Sequence, residues 1–259
     1  MFPLPAEQDI LVGILVFLRI SLLMMLLPVI GHKLVPAPIK TGFVGILTLL
    51  LYPVVSQHVP VIEPDVVVFS MLAIQEMLLA AALAMIAQLI FTAAHFAGQV
   101  MSLQMGMAMA NMFDPVTSSQ SAVVAQFIGI FAMLMWLASG AHHMFIMTLV
   151  ESFNIMPVGT TWSFNGWDVI TQAAADMFIL AIKLMAPILT LLFFVYVALG
   201  LIARAVPQIQ VFFVSFPLSV GLGLLILSLS FPAMMSLMYD GFAGLGQDLP
   251  MFLRRLSGH

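Results

Sequence analysis

The sequence has very little charge. Of its 259 residues, 7% are charged and 63% are hydrophobic, whereas soluble domains carry about 25% charged residues. A chain with so few polar groups cannot cover itself with a hydrophilic surface. Large exposed apolar areas mark contact with lipid or with other proteins, so the composition predicts an integral membrane protein.

Cysteine is absent and basic residues are few. The lack of cysteine excludes disulfides, thiolate nucleophiles and Cys-ligated metal centres. The formal net charge of −4 comes from scattered groups, and nucleic-acid binding requires a basic patch that they do not form. The sequence also lacks a GxSxG nucleophile elbow and a glycine-rich phosphate loop. We therefore expect no nucleic-acid partner, no cofactor, no metal and no catalytic residue.

Long apolar stretches dominate what is present. Charges and turn residues separate six of them, at residues 10–31, 41–55, 66–94, 122–150, 169–203 and 209–239. None alternates between apolar and polar residues as the strands of a membrane barrel do. Helices are then the remaining way to satisfy the hydrogen bonds of the backbone in lipid. We therefore predict an all-α protein with one membrane domain over residues 1–259. A span needs about 20 residues, and the unequal segment lengths indicate that some helices tilt, kink or fold back.

The orientation of the segments is not settled by their flanking charges. Lys33 and Lys40 lie in the first connection, and the positive-inside rule then places the N-terminus outside. Six crossings would put the tail outside as well, although it carries Arg254 and Arg255. Either the tail departs from the rule or one segment is a hairpin that does not cross.

Four ionisable residues lie inside hydrophobic segments: Arg19, Glu76, Asp176 and Lys183. Such groups are costly in lipid and face a protein interior or a wet cavity. No proton-relay series is present, so pairing that sets helix register is favoured over transport chemistry. Glu76 follows Gln75, and this polar pair could also form a subunit contact.

Two adjacent histidines, His142 and His143, could suggest a metal site. Their side chains would point about 100° apart on a helix, whereas metal ligands share one face, as in HExxH. A polar or interface role is the favoured interpretation.

The connection at residues 99–121 is rich in methionine, with methionines at positions 101, 105, 107, 109 and 112. Methionine is flexible and polarizable and can repack around varied partners, and Gly98 and Gly106 add backbone freedom. Two interpretations stay open, a deformable gate and a helix end whose methionines fill core. Asp114 before Pro115 predicts a turn that ends the stretch.

A second unusual stretch, RAVPQIQVFFVSFPLS, covers residues 204–219. Arg204 would lie at the C-terminal end of one helix, where its positive charge interacts favourably with the helix dipole. Pro207 and Pro217 would frame a rigid break after it. Gln208 and Gln210 need polar partners if they are buried. Turn structure explains part of this pattern, and docking to another protein would explain the rest.

At these two stretches the chain resembles the FliR family of flagellar export proteins and its counterparts in virulence type III secretion. The run GMAMANMFDP, residues 106–115, is similar to the family pattern G-x-x-x-A-x-x-F-D-P. The run RAVPQIQVFFVSFPL, residues 204–218, is similar to the pattern R-x-x-P-Q-x-x-V-F-x-x-x-F-P. Ser215 and Gln210 depart from the residues that are common in the family. The resemblance extends over essentially the whole chain.

The resemblance implies an assembly and a place in the cell. The chain would join FliP-like and FliQ-like subunits in a helical export gate within the bacterial inner membrane and the flagellar basal body. It would contact FlhB-like and FlhA-like components, membrane lipid and unfolded export substrates. Kinked or folded-back hairpins in such assemblies would also explain the unsettled orientation.

The resemblance also implies roles for residues of the two stretches. The implied pore plug consists of Met105, Gly106, Met107, Met109, Met112, Phe113, Asp114 and Pro115. The implied subunit contact consists of Arg204, Pro207, Gln208, Phe212, Phe216 and Pro217. The function that follows is a structural and gating subunit of a protein-export channel with no chemistry of its own.

Two other classes of protein are weaker alternatives. A small-solute or ion transporter would need charges that converge at the bilayer midplane, often with related halves. An intramembrane enzyme would need a nucleophile and base or a metal cluster. The sequence indicates none of these features.

Overall fold

The computed structural model describes residues 7–31, 35–56, 59, 65–107, 123–159, 166–206 and 211–258. These ranges contain seven α-helices and no β-strand, which confirms the all-α prediction. The helices are α1 (Glu7–Leu26), α2 (Ala37–Val55), α3 (Val66–Gln104), α4 (Val123–Ala138), α5 (Ala141–Ile155), α6 (Trp167–Ala205) and α7 (Val211–Ser257).

Five of the helices, α1, α2, α3, α6 and α7, are long and apolar enough to cross a membrane. The pair α4 and α5 would add a sixth crossing as one bent span. The count of about six hydrophobic segments is thus confirmed, but the segment predicted at 122–150 is two helices that meet at a 66° bend. Gly140 lies in the bend with φ of +71°, a conformation that glycine adopts without the cost a side chain would add.

The last helix extends well beyond the segment predicted at 209–239 and ends at Ser257. Gly, Asp and Pro residues lower the hydrophobicity after Tyr239, so composition alone ended the segment too early. The helix continues because apolar residues recur every three or four positions and bury one stripe. The buried residues of this extension are Phe242, Leu245, Leu249, Phe252, Leu253 and Leu256.

The prolines divide between helix ends and helix interiors. Pro36 is the N-cap residue of α2 and Pro38 lies in its first turn, where a missing N–H group breaks no hydrogen bond. Pro217 lies inside α7, so the prediction that it bounds a rigid break is wrong. At Pro217 the second turn of the helix lacks one backbone N–H donor, and the helix continues past it. Pro207 is outside the described residues.

The chain divides into two compact units. The first contains residues 1–89, 140–174 and 243–259, and the second contains residues 90–139 and 175–242. Helices α3, α6 and α7 contribute residues to both units. The single membrane domain over residues 1–259 stays a prediction.

In the first unit, α1 and α2 form a hairpin that polar contacts join at both ends. The Tyr52 hydroxyl donates a hydrogen bond to the Asp9 carboxylate at 3.0 Å. At the other end, Lys40 Nζ donates to the Gly31 carbonyl at 2.9 Å. Because both contacts satisfy groups at helix ends, they hold the two helices in register without placing charge in the apolar middle.

In the second unit, aromatic rings from three helices form the centre of the core. Phe91 of α3, Trp136 of α4 and Phe242 of α7 have ring centroids 5.3 to 5.5 Å apart. Phe131 and Phe231 form a second contact, with centroids 4.4 Å apart. Tilted aromatic pairs at such distances stabilise beyond the area they bury, so they fix how α3, α4 and α7 pack.

Candidate functional site

The methionine-rich connection begins where α3 ends, in the second unit. Gly106 has φ of +78°, and its N–H group donates to the Leu103 carbonyl at 3.0 Å. A glycine in this left-handed conformation commonly ends a helix and satisfies its last carbonyls. The Gln104 carbonyl accepts a hydrogen bond from the Tyr196 hydroxyl of α6. The base of the connection is therefore held by its own backbone and by a neighbouring helix.

Met105 is fully buried against α7. A Cβ atom built on Gly223 would lie 2.7 Å from Met105 Cγ, 2.8 Å from Cε and 3.0 Å from Sδ. The glycine thus leaves a notch that the methionine side chain fills. Met107 is half-buried and its sulfur lies 3.8 Å from the Ser102 hydroxyl. At Met105 the methionine fills core, and the side chain anchors the connection to α7.

The structure brings the two unusual stretches together. A Cβ atom on Gly106 would lie 3.5 Å from the ring of Phe216, which belongs to the second stretch. Neither a shared helix nor a spacing in the sequence indicates this contact, because 110 positions separate the two residues. Phe216 remains 38% exposed, so its ring contacts the base of the connection and is still accessible to a partner.

Several predicted site residues lie outside the described residues. For the plug these are Met109, Met112, Phe113, Asp114 and Pro115. For the subunit contact they are Pro207, Gln208 and the side chain of Phe212. Arg204 lies exposed in the last turn of α6, and Pro217 is exposed on α7.

In the first unit, the structure pairs Arg19 of α1 with Glu76 of α3. The two side chains form a salt bridge and are only 1% and 3% exposed. A buried charge of either sign without a partner would be very costly. The pair therefore fixes the register of α1 against α3.

Arg19 also caps the end of α5, which the sequence did not indicate. Its Nη1 atom donates to the Ser152 carbonyl at 3.1 Å and to the Met156 carbonyl at 2.9 Å. The last carbonyls of a helix lack partners within it and carry partial negative charge. The guanidinium carbon lies 4.3 Å from the ring centroid of Phe153, within the range of a cation–π contact. Arg19 Nη1 also lies 3.4 Å from the Ser152 hydroxyl. The two carbonyl acceptors are backbone atoms, so no residue type in the sequence could have revealed them.

The other two charges within hydrophobic segments are at the surface of the second unit. Asp176 and Lys183 are both exposed and lie two turns apart on α6. Apolar side chains surround them on the helix surface, among them Phe178 at 54% and Ile182 at 56% exposed. The structure therefore does not bring these two charges into a buried site.

The histidines do not form a metal centre with the acidic residues that the structure describes. His142 and His143 stack with ring centroids 4.0 Å apart. Across the described ranges, no group of three or more His, Cys, Asp or Glu side chains is placed to hold a metal ion.

The chain is similar to known bacterial export proteins. Residues 10–245 match the family described as bacterial export proteins, family 1. The chain is 34% identical over 218 residues to the flagellar biosynthetic protein FliR of Bacillus subtilis strain 168, and the alignment covers 83% of each chain. It is 31% identical over 223 residues to FliR of Caulobacter vibrioides, covering 86% of this chain and 89% of that one.

A third relative is the flagellar biosynthetic protein FliR of Escherichia coli K12. It is 30% identical over 220 residues, with 83% of this chain and 82% of the relative covered. The resemblance first indicated by the two motifs is thus confirmed over most of the chain. Because the family match spans residues 10–245, the protein belongs to the bacterial export proteins, family 1.

Proposed function

We propose that the chain is a structural and gating subunit of the flagellar type III protein-export channel. The observation that carries this proposal is the family match over residues 10–245, with relatives named FliR aligned over most of both chains. The subunit would lie in the bacterial inner membrane at the flagellar basal body. It would help to form and close the pore through which unfolded flagellar proteins pass.

The surface of the chain supports a place inside an assembly. Apolar side chains stand exposed on several helices, including Leu49 at 76%, Phe194 at 64% and Leu229 at 69%. Lipid or neighbouring subunits must cover such a surface. FliP-like and FliQ-like subunits are the proposed neighbours, with FlhB-like and FlhA-like components as further contacts.

The anchored methionine-rich connection supports the gating role. A pore for unfolded chains must block ions and still admit many kinds of side chain, and flexible methionines suit both tasks. Met105 and Gly106 would hold the base of the plug on α7, while the connection from Met107 to Pro115 would close the pore. The contact of Met105 with Gly223 supports this base, because it attaches the start of the connection to α7.

No reaction is assigned to the chain, and energy for export would come from other components. The alternative of a small-solute transporter gains no support from the buried Arg19–Glu76 pair of the first unit. Arg19 and Glu76 neutralise each other at 1% and 3% exposure, whereas a transport site must exchange its charges with solvent and solute.

Affinity purification tests the proposal. We would tag the C-terminus, extract the membrane in mild detergent and identify co-purifying chains by mass spectrometry. FliP-like and FliQ-like chains should be recovered in fixed ratio to the tagged chain, and an unrelated membrane protein with the same tag should recover neither. Recovery of the tagged chain alone would overturn the proposal.

A further inference from the structure

The exposed surface of α3 changes character along the helix. In its first half the exposed side chains are mostly apolar, among them Met71 at 66%, Ile74 at 58% and Leu78 at 53% exposed. In the part that belongs to the second unit, polar side chains predominate. The exposed residues there are Thr92, His95, Phe96, Gln99, Leu103 and Gln104.

Three of the polar residues lie on one face of the helix. Thr92, His95 and Gln99 follow one another at intervals of three and four residues, and residues at such spacing share a helix face. Phe96, beside them, turns its ring toward Phe178 of α6, with centroids 6.3 Å apart and the rings edge to face. We call the three residues Thr92, His95 and Gln99 the polar face of α3.

His95 and Gln99 form a hydrogen-bonded pair on the polar face. Gln99 Nε2 lies 3.0 Å from His95 Nε2, and this is their one polar contact with the described part of the chain. Because an amide nitrogen can only donate, the histidine Nε2 accepts and its ring proton lies on Nδ1. The pair therefore turns a donor, His95 Nδ1–H, and an acceptor, the Gln99 carbonyl oxygen, toward its surroundings.

Lipid cannot serve these groups. An amide or imidazole that leaves water without a hydrogen bond costs free energy, and polar residues of membrane proteins face a protein interior or a water-filled cavity. Neighbouring helices of the second unit show a different surface, with Phe127, Ile130 and Leu134 of α4 and Phe193 of α6 between 48% and 63% exposed. The polar face of α3 is therefore suited to surroundings that the apolar faces are not.

The polar face leads directly to the methionine-rich connection. Gln99 precedes the end of α3 at Gln104 by five residues, or about 7 to 8 Å along the helix axis. The connection starts there, with Met105 buried against α7 at Gly223. If the connection closes a pore, the helix face that runs up to it is placed to form part of the wall.

We propose that the polar face of α3 lines the export passage and hydrogen-bonds the backbone of the unfolded polypeptide in transit. This inference rests on the proposed function and deepens it, because it names the surface that the substrate contacts. His95 Nδ1–H donates to a carbonyl of the passing chain, and the Gln99 carbonyl oxygen accepts from an N–H group.

The chemistry of the polar face favours an extended chain over a partner helix. Each residue of an extended polypeptide offers a backbone donor and acceptor, whereas a helix uses these groups internally. Residues 90–104 also contain no Asp, Glu, Lys or Arg, so the face does not select a substrate by charge. Uncharged donors and acceptors meet every sequence alike, because the backbone is the part that all unfolded substrates share.

Thiol labelling of the assembled complex tests the inference. The chain contains no cysteine, so His95→Cys and Gln99→Cys each add the single thiol of this chain. A water-soluble maleimide reacts with the thiolate, which forms where water reaches. We expect both variants to be labelled, and the labelling to be lost when a substrate with a folded trailing domain is stalled in the channel. Ile130→Cys on α4, at a position 52% exposed in the isolated chain, is the control and should stay unlabelled in both states.

Three results would overturn the inference and leave the proposed function standing. They are no labelling of His95→Cys and Gln99→Cys, which would place a partner subunit or lipid on the face, labelling that the stalled substrate does not change, and equal labelling of Ile130→Cys. Co-purifying partner chains show that each variant assembles, and labelling after denaturation shows that its thiol is intact. A complex that assembles but never retains a stalled substrate would overturn the proposed function, and the inference with it.

Discussion

The Arg19 side chain shows how one residue can serve three helices. Its guanidinium group pairs with Glu76 of α3 and donates to two carbonyls at the end of α5. In a buried setting such a charge is tolerated only when its hydrogen-bonding capacity is used. The contrast is the Arg255–Asp168 pair, whose side chains are 51% and 52% exposed and remain partly solvated.

We expect Arg19→Met to destabilise the chain by about 3 to 5 kcal/mol, because Glu76 would remain buried without a cation. Arg255→Met is the matched control and should cost no more than about 1 kcal/mol, the range of exposed salt bridges. Unfolding by denaturant in detergent micelles, followed by circular dichroism, measures both values.

The double variant Arg19→Met with Glu76→Met should recover much of the lost stability, since it removes both charges. If Arg19→Met unfolds at the same denaturant concentration as Arg255→Met, the buried pair does not hold the helices together.

Two helices can pack closely where a glycine lies at their contact. At Gly98 of α3, an added Cβ atom would lie 2.5 Å from the Cα atom of Ala125 on α4. The obstructing atom is backbone and cannot rotate away, so a side chain at this position must separate the two helices. Gly200 of α6 has no atom within 4 Å of its Cβ position, and the same substitution there meets open space.

Gly98→Ala should therefore lower the free energy of unfolding by about 1 to 3 kcal/mol, the cost of overpacking a well-packed contact. Gly200→Ala should raise it by up to about 1 kcal/mol, because alanine is the better helix former. Thermal melts of the two purified variants compare their melting temperatures. A melting temperature for Gly98→Ala at or above that of Gly200→Ala would contradict the close contact of α3 and α4.

The methionine-rich connection yields a prediction about ion leakage. Deletion of residues 107–112 keeps the anchored Met105 and Gly106 but removes the other methionines of the proposed plug. We expect the assembled channel to conduct ions, because a flexible apolar seal would be missing. Conductance of membranes that contain the complex measures the effect.

The control for this deletion replaces Met107, Met109 and Met112 with leucine. Leucine keeps the apolar character and the length of the connection, so the channel should stay closed. Membranes with the deleted chain that conduct no more than those with the leucine variant would argue strongly against a plug.

At the scale of the whole molecule, the exposed apolar surface and the exposed Arg204 are explained by an assembly. Arg204 lies exposed in the last turn of α6, beside the second unusual stretch. Interface arginines often carry much of the binding free energy. We expect the double variant Arg204→Ala with Gln208→Ala to lower recovery of partner subunits at least about fivefold.

Quantitative mass spectrometry of the tagged complex checks this expectation. Thr171→Ala, an exposed position at the opposite end of α6, should leave recovery unchanged. Full recovery of the partners by the Arg204 and Gln208 double variant would remove the second stretch from the subunit contact.

Composition and local patterns were sufficient for the class of protein and for most of the helices. Few charges and long apolar runs determine a helical membrane protein, because lipid leaves the backbone few other ways to satisfy its hydrogen bonds. The same patterns located the methionine-rich connection and the charges of the hydrophobic segments. They could not locate the end of α7, since its last turns are held by a buried stripe and not by high hydrophobicity.

The tertiary structure decided which residues meet. The sequence by itself placed Arg19 and Glu76 in apolar surroundings, but only packing joined them and turned Arg19 toward the carbonyls of α5. Likewise, only packing buried Met105 in the notch at Gly223 and brought Phe216 beside Gly106. The reason is physical: periodicity reports which face of a helix is apolar, whereas the partner of that face depends on contacts between residues far apart in the chain.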